Sequence, residues 1–122
     1  MKTLMLAITA MALCSVMHAD RTIWYVHPDS ALNTIQAGLD SCADNDIVLV
    51  APGTYTENII WPVTQGIHLI SELGAEVTTI DGNDSGTVLC ISGSIIDAST
   101  IIRGFTVQHG HGHSYPGYNW EG

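Results

Sequence analysis

Short apolar runs recur along the chain at nearly even intervals, separated by glycine, asparagine and aspartate. IVLV starts at Ile47, IHLI at Ile67, VLCI at Val88 and GFTV at Gly104, with offsets of 20, 21 and 16 residues. Shorter runs lie between them: ENII from Glu57, TTIDG from Thr78 and TIIRG from Thr100. An earlier run, IWYV at Ile23–Val26, ends at His27-Pro28. Between Asp46 and Gln108 no stretch of about ten residues carries the 3.6-residue period of a helix, so the region is expected to be strand and turn. Upstream, NTIQAGLDSCA places Ile35, Leu39 and Cys42 on one face of a short helix over Asn33–Ala43. Asn33 stands as its N-cap, with Gln36 three residues on in the position a capping box uses.

Runs recurring at about 20 residues suggest units that cannot bury their apolar faces alone and must stack. An antiparallel sandwich would want two-residue hairpins, and Asp81-Gly82 instead opens the longer loop DGNDSG. A parallel coil needs bends between short strands. Pro52 presets φ for the second position of a turn and Gly53 supplies φ > 0 at the third, so APGTY reads as a corner. Asp81-Gly82-Asn83 is expected to be the corresponding corner one coil later. The fold class expected is therefore all-β, a right-handed parallel β-helix whose first end is covered by the short N-terminal helix. An uncovered end would expose core and strand edge.

Composition narrows the setting. The 122 residues hold 12 Asp+Glu against 3 Lys+Arg, for a formal charge of −9, but only 12% of residues are charged. That is a solvated acidic surface on a single domain. Nucleic acid is not an expected partner, because beyond Lys2 only Arg21 and Arg103 could meet phosphate. Residues 1–19, MKTLMLAITAMALCSVMHA, join Lys2 to an apolar run and a small residue, Ala19, and read as a signal peptide. Lipid attachment at Cys14 is the alternative to cleavage after Ala19, though Leu13 before it is bulky. The mature chain, 20–122, is expected to be secreted or at the cell surface, without a transmembrane segment. It keeps Cys42 and Cys90. With one in the cap and one in the third coil, their levels would differ by about 10 Å, beyond the Cα separation of about 7 Å that a disulfide tolerates. Two buried free thiols are expected.

TIQAGLDSCADNDIVLVAPGTYTENI, IHLISELGAEVTTIDGN and IIRGFTVQHG together resemble the N-terminal coils of secreted right-handed parallel β-helix proteins of the pectin-lyase-like superfamily. The resemblance covers about 24–110. It implies the solenoid fold and, through the order of its elements, comes nearest to pectin methylesterases. The aspartates, arginine and glutamines that those enzymes use lie on later coils, so no catalytic residue is carried over, and Gln108 is given no such role.

The local candidates for chemistry are few. HGHGH places His109, His111 and His113 at i, i+2 and i+4, on one side of the chain if the backbone is extended, which would suit a transition metal. The alternative is a glycine-rich turn. DGNDSG, from Asp81 to Gly86, offers oxygen ligands loosely like a calcium loop, against a structural turn in which Asp and Asn bond their own backbone. Asp40, Asp44 and Asp46 flank the helix; the last two are expected to end it and start the next strand. Glu57 with Asp81 is a conceivable carboxylate pair for glycoside hydrolysis, with nothing further to mark it. Tyr115, Tyr118 and Trp120 could stack on sugar rings or simply edge a loop.

Two functions remain. The first, preferred, is an exported β-helix scaffold that binds polysaccharide or another partner and has no catalytic residues in this segment. The second is the N-terminal part of a polysaccharide-active enzyme. No cofactor is assigned. The chain stops about four coils in, so downstream coils or an oligomer partner are expected to cover the open end.

Overall fold

The computed structural model describes residues 20–93 and 96–112. Nine short strands and one helix follow each other in the order β1 (Ile23–Val26), α1 (Ile35–Ser41), β2 (Ile47–Val50), β3 (Gly53–Thr56), β4 (Ile59–Ile60), β5 (His68–Ser71), β6 (Thr78–Asp81), β7 (Leu89–Cys90), β8 (Ile101–Arg103) and β9 (Thr106–Gln108). Every pairing is parallel. The strands sort into three sheets, β1-β2-β5-β8, β3-β6-β9 and β4-β7, and the result is a parallel β-solenoid of about three turns.

Alternation along each strand decides what is inside. Val48 stacks on Leu69, and Val26 on Val50, with all four side chains fully buried. From the second sheet Tyr55 stacks on Ile80, and from the third Ile59 adds its side chain. Each successive coil repeats the inward positions of the last at the spacing of neighbouring strands, so burial is continuous along the axis. Tyr55 keeps its polar tip satisfied by donating to the Ala51 carbonyl at 2.8 Å.

The chain passes from β2 to β3 through Ala51-Pro52, and Gly53 is already the first paired residue of β3 and not the third residue of a closed turn. Gly53 has φ +152°, and a Cβ there would lie 3.2 Å from Pro28 Cγ, so glycine serves both the bend and the close approach. Asp81-Gly82-Asn83 is also a corner, but it is not the successor of Gly53. Gly53 pairs with Thr78, whereas Asp81 pairs with Thr56 and so begins the next bend around the coil.

Face assignment within the repeat also differs from the even spacing of the apolar runs. IVLV and IHLI do stack, Ile47 opposite His68, but the next strand on that face comes from TIIRG, with His68 opposite Ile101. VLCI instead supplies β7 over β4, and GFTV supplies β9 over β6. Runs from different faces look alike because each has an apolar inner side. The corners between them vary in length, so spacing alone does not say which face a run occupies.

The helix is shorter than Asn33–Ala43, and its cap is Thr34, not Asn33. Thr34 is extended at φ −125° and its hydroxyl accepts from Ala37 N at 3.1 Å. Ile35, Gly38 and Leu39 are buried against β1 and β2. A Cβ on Gly38 would sit 2.8 Å from Val26 Cγ2 and 2.9 Å from Val48 Cγ1, so glycine lets the helix approach the first coil.

Candidate functional site

Among the described residues, the carboxylates of Asp44, Asp46, Glu57, Asp81 and Asp97 accept backbone N–H groups. Glu57, just after β3, accepts from Ile35 N at 2.8 Å and from Gln36 N at 2.9 Å. Two N–H groups that a helix start leaves open are thereby satisfied by a charged acceptor. Gln36 does not close a capping box. Its side chain reaches the next coil, donating to the Ile60 carbonyl and accepting from Ile60 N, and it also donates to Asp40.

Asp46 is buried and accepts three bonds, from Ala43 N at 2.9 Å, Thr22 N at 3.0 Å and Trp24 Nε1 at 3.1 Å. Burial alone would raise its pKa; the donors outweigh it, and the carboxyl is held below its usual range. Asp44 accepts from Gln65 N. Both residues thus join the helix exit to neighbouring turns, as their positions in the sequence suggest.

DGNDSG is a turn built on its own backbone. Asp81 Oδ1 accepts from Asn83 N, Ser85 N donates to the Gly82 carbonyl, and Asn83 and Asp84 sit at φ +52° and +53°. The other oxygen of Asp81 accepts from Gln108 Nε2 at 3.0 Å and meets His109 Nδ1 at 2.9 Å. With Gln108, Asn83 and His109 all bonding the charged form, Asp81 is pulled down to about 2. His109 is raised by the same contact. This pairing ties one coil's corner to the next.

The structure places the histidine run accordingly. His109 has φ +52°, so the backbone is not extended at its first residue, and its ring is turned to Asp81. His111 N donates to the Gly86 carbonyl. His113 lies outside the described residues, as do Tyr115, Tyr118, Trp120 and the whole of residues 1–19. Among the described residues no three His, Cys, Asp or Glu side chains are gathered as a metal-ligand group. The conceivable pair of Glu57 and Asp81 is divided by role, one capping α1 and the other closing the β6 corner.

Cys42 and Cys90 are free thiols, but the expectation that both are buried fails. Cys42 is half-buried and donates to the Gly38 carbonyl, and burial together with the nearby Asp46 pushes it up to about 11. Cys90 is exposed, because it stacks on Ile60 in the outward row of the β4-β7 sheet, while its neighbour Leu89 faces the core over Ile59.

Two surfaces escape sequence reasoning. One is an open apolar depression of about 320 Å³ at the last coil, lined by Val88, Leu89, Val107 and His111. The other is the outer side of the four-stranded sheet, whose outward rows run Ile23-Ile47-His68-Ile101 and Tyr25-Leu49-Ile70-Arg103. Only correct face assignment reveals that second surface, since the two rows draw on strands far apart in the chain.

No protein-family model, curated protein or solved structure matches the chain. No described helix is long and apolar enough to cross a membrane.

Proposed function

We propose that the chain is an exported β-solenoid scaffold that binds glycans or another partner along its outer surface and performs no catalysis with these coils. The observation that carries this reading is the engagement of Glu57. Both its oxygens are held by the backbone N–H groups of Ile35 and Gln36, which removes the carboxylate from the free geometry a general acid or nucleophile needs.

The same reading takes the coil as right-handed, in line with the strong preference of parallel crossovers. It takes α1 as the cap of the first end, supported by the burial of Ile35 and Leu39 against the first coils. It takes residues 1–19 as a signal peptide, supported by Lys2, the apolar run and Ala19. Kinship with the pectin-lyase-like superfamily rests on the quoted segments and on the order of elements.

Incubation of the purified chain with methylesterified pectin and with polygalacturonate tests the reading. The expected result is no ester hydrolysis and no chain cleavage; turnover abolished by Glu57→Gln would overturn it.

A further inference from the structure

The ladder of the four-stranded sheet runs one bond past its strands: Ala51 N donates to the Val26 carbonyl and Glu72 N to the Val50 carbonyl, each at 2.8 Å. His27, Ala51 and Glu72 therefore form one more row across β1, β2 and β5, beyond Val26, Val50 and Ser71. Side chains alternate along a strand, and Val26 and Ser71 are buried, so His27 and Glu72 share the outer side with Tyr25. Two strand spacings, about 10 Å, separate the backbones of His27 and Glu72.

Tyr25 fills the middle of that frame. Its side chain starts on β1, crosses Leu49 of β2 and donates its hydroxyl to Glu72 Oε2 at 2.7 Å. The ring is thereby laid along the sheet, and the residue stays 43% exposed. The His27 ring stands 6.2 Å from it, centroid to centroid, tilted by 36°. His27 Nδ1 accepts from Asp29 N at 3.0 Å, so that ring carries its proton on Nε2. Among the described residues neither His27 Nε2 nor Glu72 Oε1 has a hydrogen-bond partner. An exposed aromatic face thus lies between one open donor and one open acceptor.

What fits this frame is flat and apolar on one side, with groups at its rim that both donate and accept. A pyranose has C–H groups on one face and hydroxyls around its edge that do both. A nucleotide is also flat on one side, but its phosphate is opposed by a chain with twelve acidic side chains against three basic ones. We propose that this face binds a neutral hexopyranose unit of a glycan, stacked on the Tyr25 ring, with one hydroxyl donating to Glu72 Oε1 and another accepting from His27 Nε2–H. The bond to Glu72 is charge-assisted, and the stacked C–H face leaves water. Acidic sugars are disfavoured by the Glu72 carboxylate, which among the described residues is not ion-paired. The inference rests on the scaffold reading's choice of glycans and adds the place and the kind of sugar.

Titration of the purified chain with the methyl glycosides of glucose, galactose and mannose, followed by the NMR signals of Tyr25, His27 and Leu49, tests it. Methyl galacturonoside is the acidic counterpart, and adenosine is a flat ligand of another class. Saturable shifts with at least one neutral glycoside, and weaker binding of the galacturonoside and of adenosine, are expected. Tyr25→Leu should weaken the neutral glycoside by roughly tenfold and His27→Phe by roughly three- to tenfold. Glu72→Gln keeps an acceptor and should narrow the gap between neutral and acidic glycoside. Circular dichroism on each variant shows that the solenoid is intact. No saturation with any of the three, equal or tighter binding of the galacturonoside or adenosine, or indifference to Tyr25→Leu in folded protein would overturn the proposal. The readout is affinity at one face and not turnover, so such a failure leaves the scaffold reading standing.

Discussion

Glu57 holds Ile35: the carboxylate after β3 accepts the amide of the first residue of α1 at 2.8 Å, across 22 positions of sequence. The contact links helix and coil more tightly than either residue's local role would suggest. Glu57→Ala leaves two N–H groups at the helix start without their acceptor, and is expected to lower stability by about 1–2 kcal/mol. Urea denaturation of the two proteins measures it, with the midpoint falling and the slope unchanged. Glu57→Gln should recover part of the loss, because its amide oxygen still accepts one bond.

Gly38 gives the opposite lesson about helix propensity. On an exposed helix Gly→Ala would stabilise by up to about 1 kcal/mol. Here the new methyl meets Val26 and Val48 side chains below 3.0 Å, and such overpacking costs about 1–3 kcal/mol. Gly38→Ala is therefore expected to lower the melting temperature, and a rise would contradict the packing of α1 on β1 and β2.

The helix itself was legible in TIQAGLDSCA through the spacing of Ile35, Leu39 and Cys42, and the corner at Gly53 through Pro-Gly chemistry. Stacked parallel coils followed from the recurrence of short apolar runs with no hairpin signal. What could not be read was which run sits on which face, since VLCI and GFTV have the same inner pattern as IVLV yet belong to other sheets. The acceptor of the Ile35 and Gln36 amides was missed for a related reason. It is Glu57, and nothing near Ile35 in sequence points to a residue that arrives only after the coil has closed.

Asp81 and His109 predict a pH signature. The Asp81 pKa is depressed in the folded state, so its contribution is present above the unfolded value of about 3.9 and is lost as pH falls toward about 2. His109 is raised, so its contribution is present below about 6.5 and is lost as pH rises through its higher folded value. A two-dimensional NMR titration should show the His109 ring deprotonating above the ordinary histidine range. Asp81→Asn should move it back, and an unchanged midpoint in that variant would refute the pairing.

The thiols should differ in reactivity. Cys90 is exposed, while Cys42 is half-buried with its pKa pushed up to about 11, which leaves little thiolate near neutral pH. A colorimetric disulfide reagent at pH 8 is expected to modify Cys90 quickly and Cys42 only as the chain unfolds. Equal fast rates would place Cys42 outside the helix–coil contact.

The parallel register underlies every site described, and nuclear Overhauser contacts between backbone protons measure it most directly. The parallel pairing requires cross-strand contacts that place Val48 beside Leu69 and Tyr55 beside Ile80, with neighbours advancing in the same direction on both strands. Strong Hα–Hα contacts between these segments, the mark of closely spaced antiparallel pairs, would contradict the solenoid.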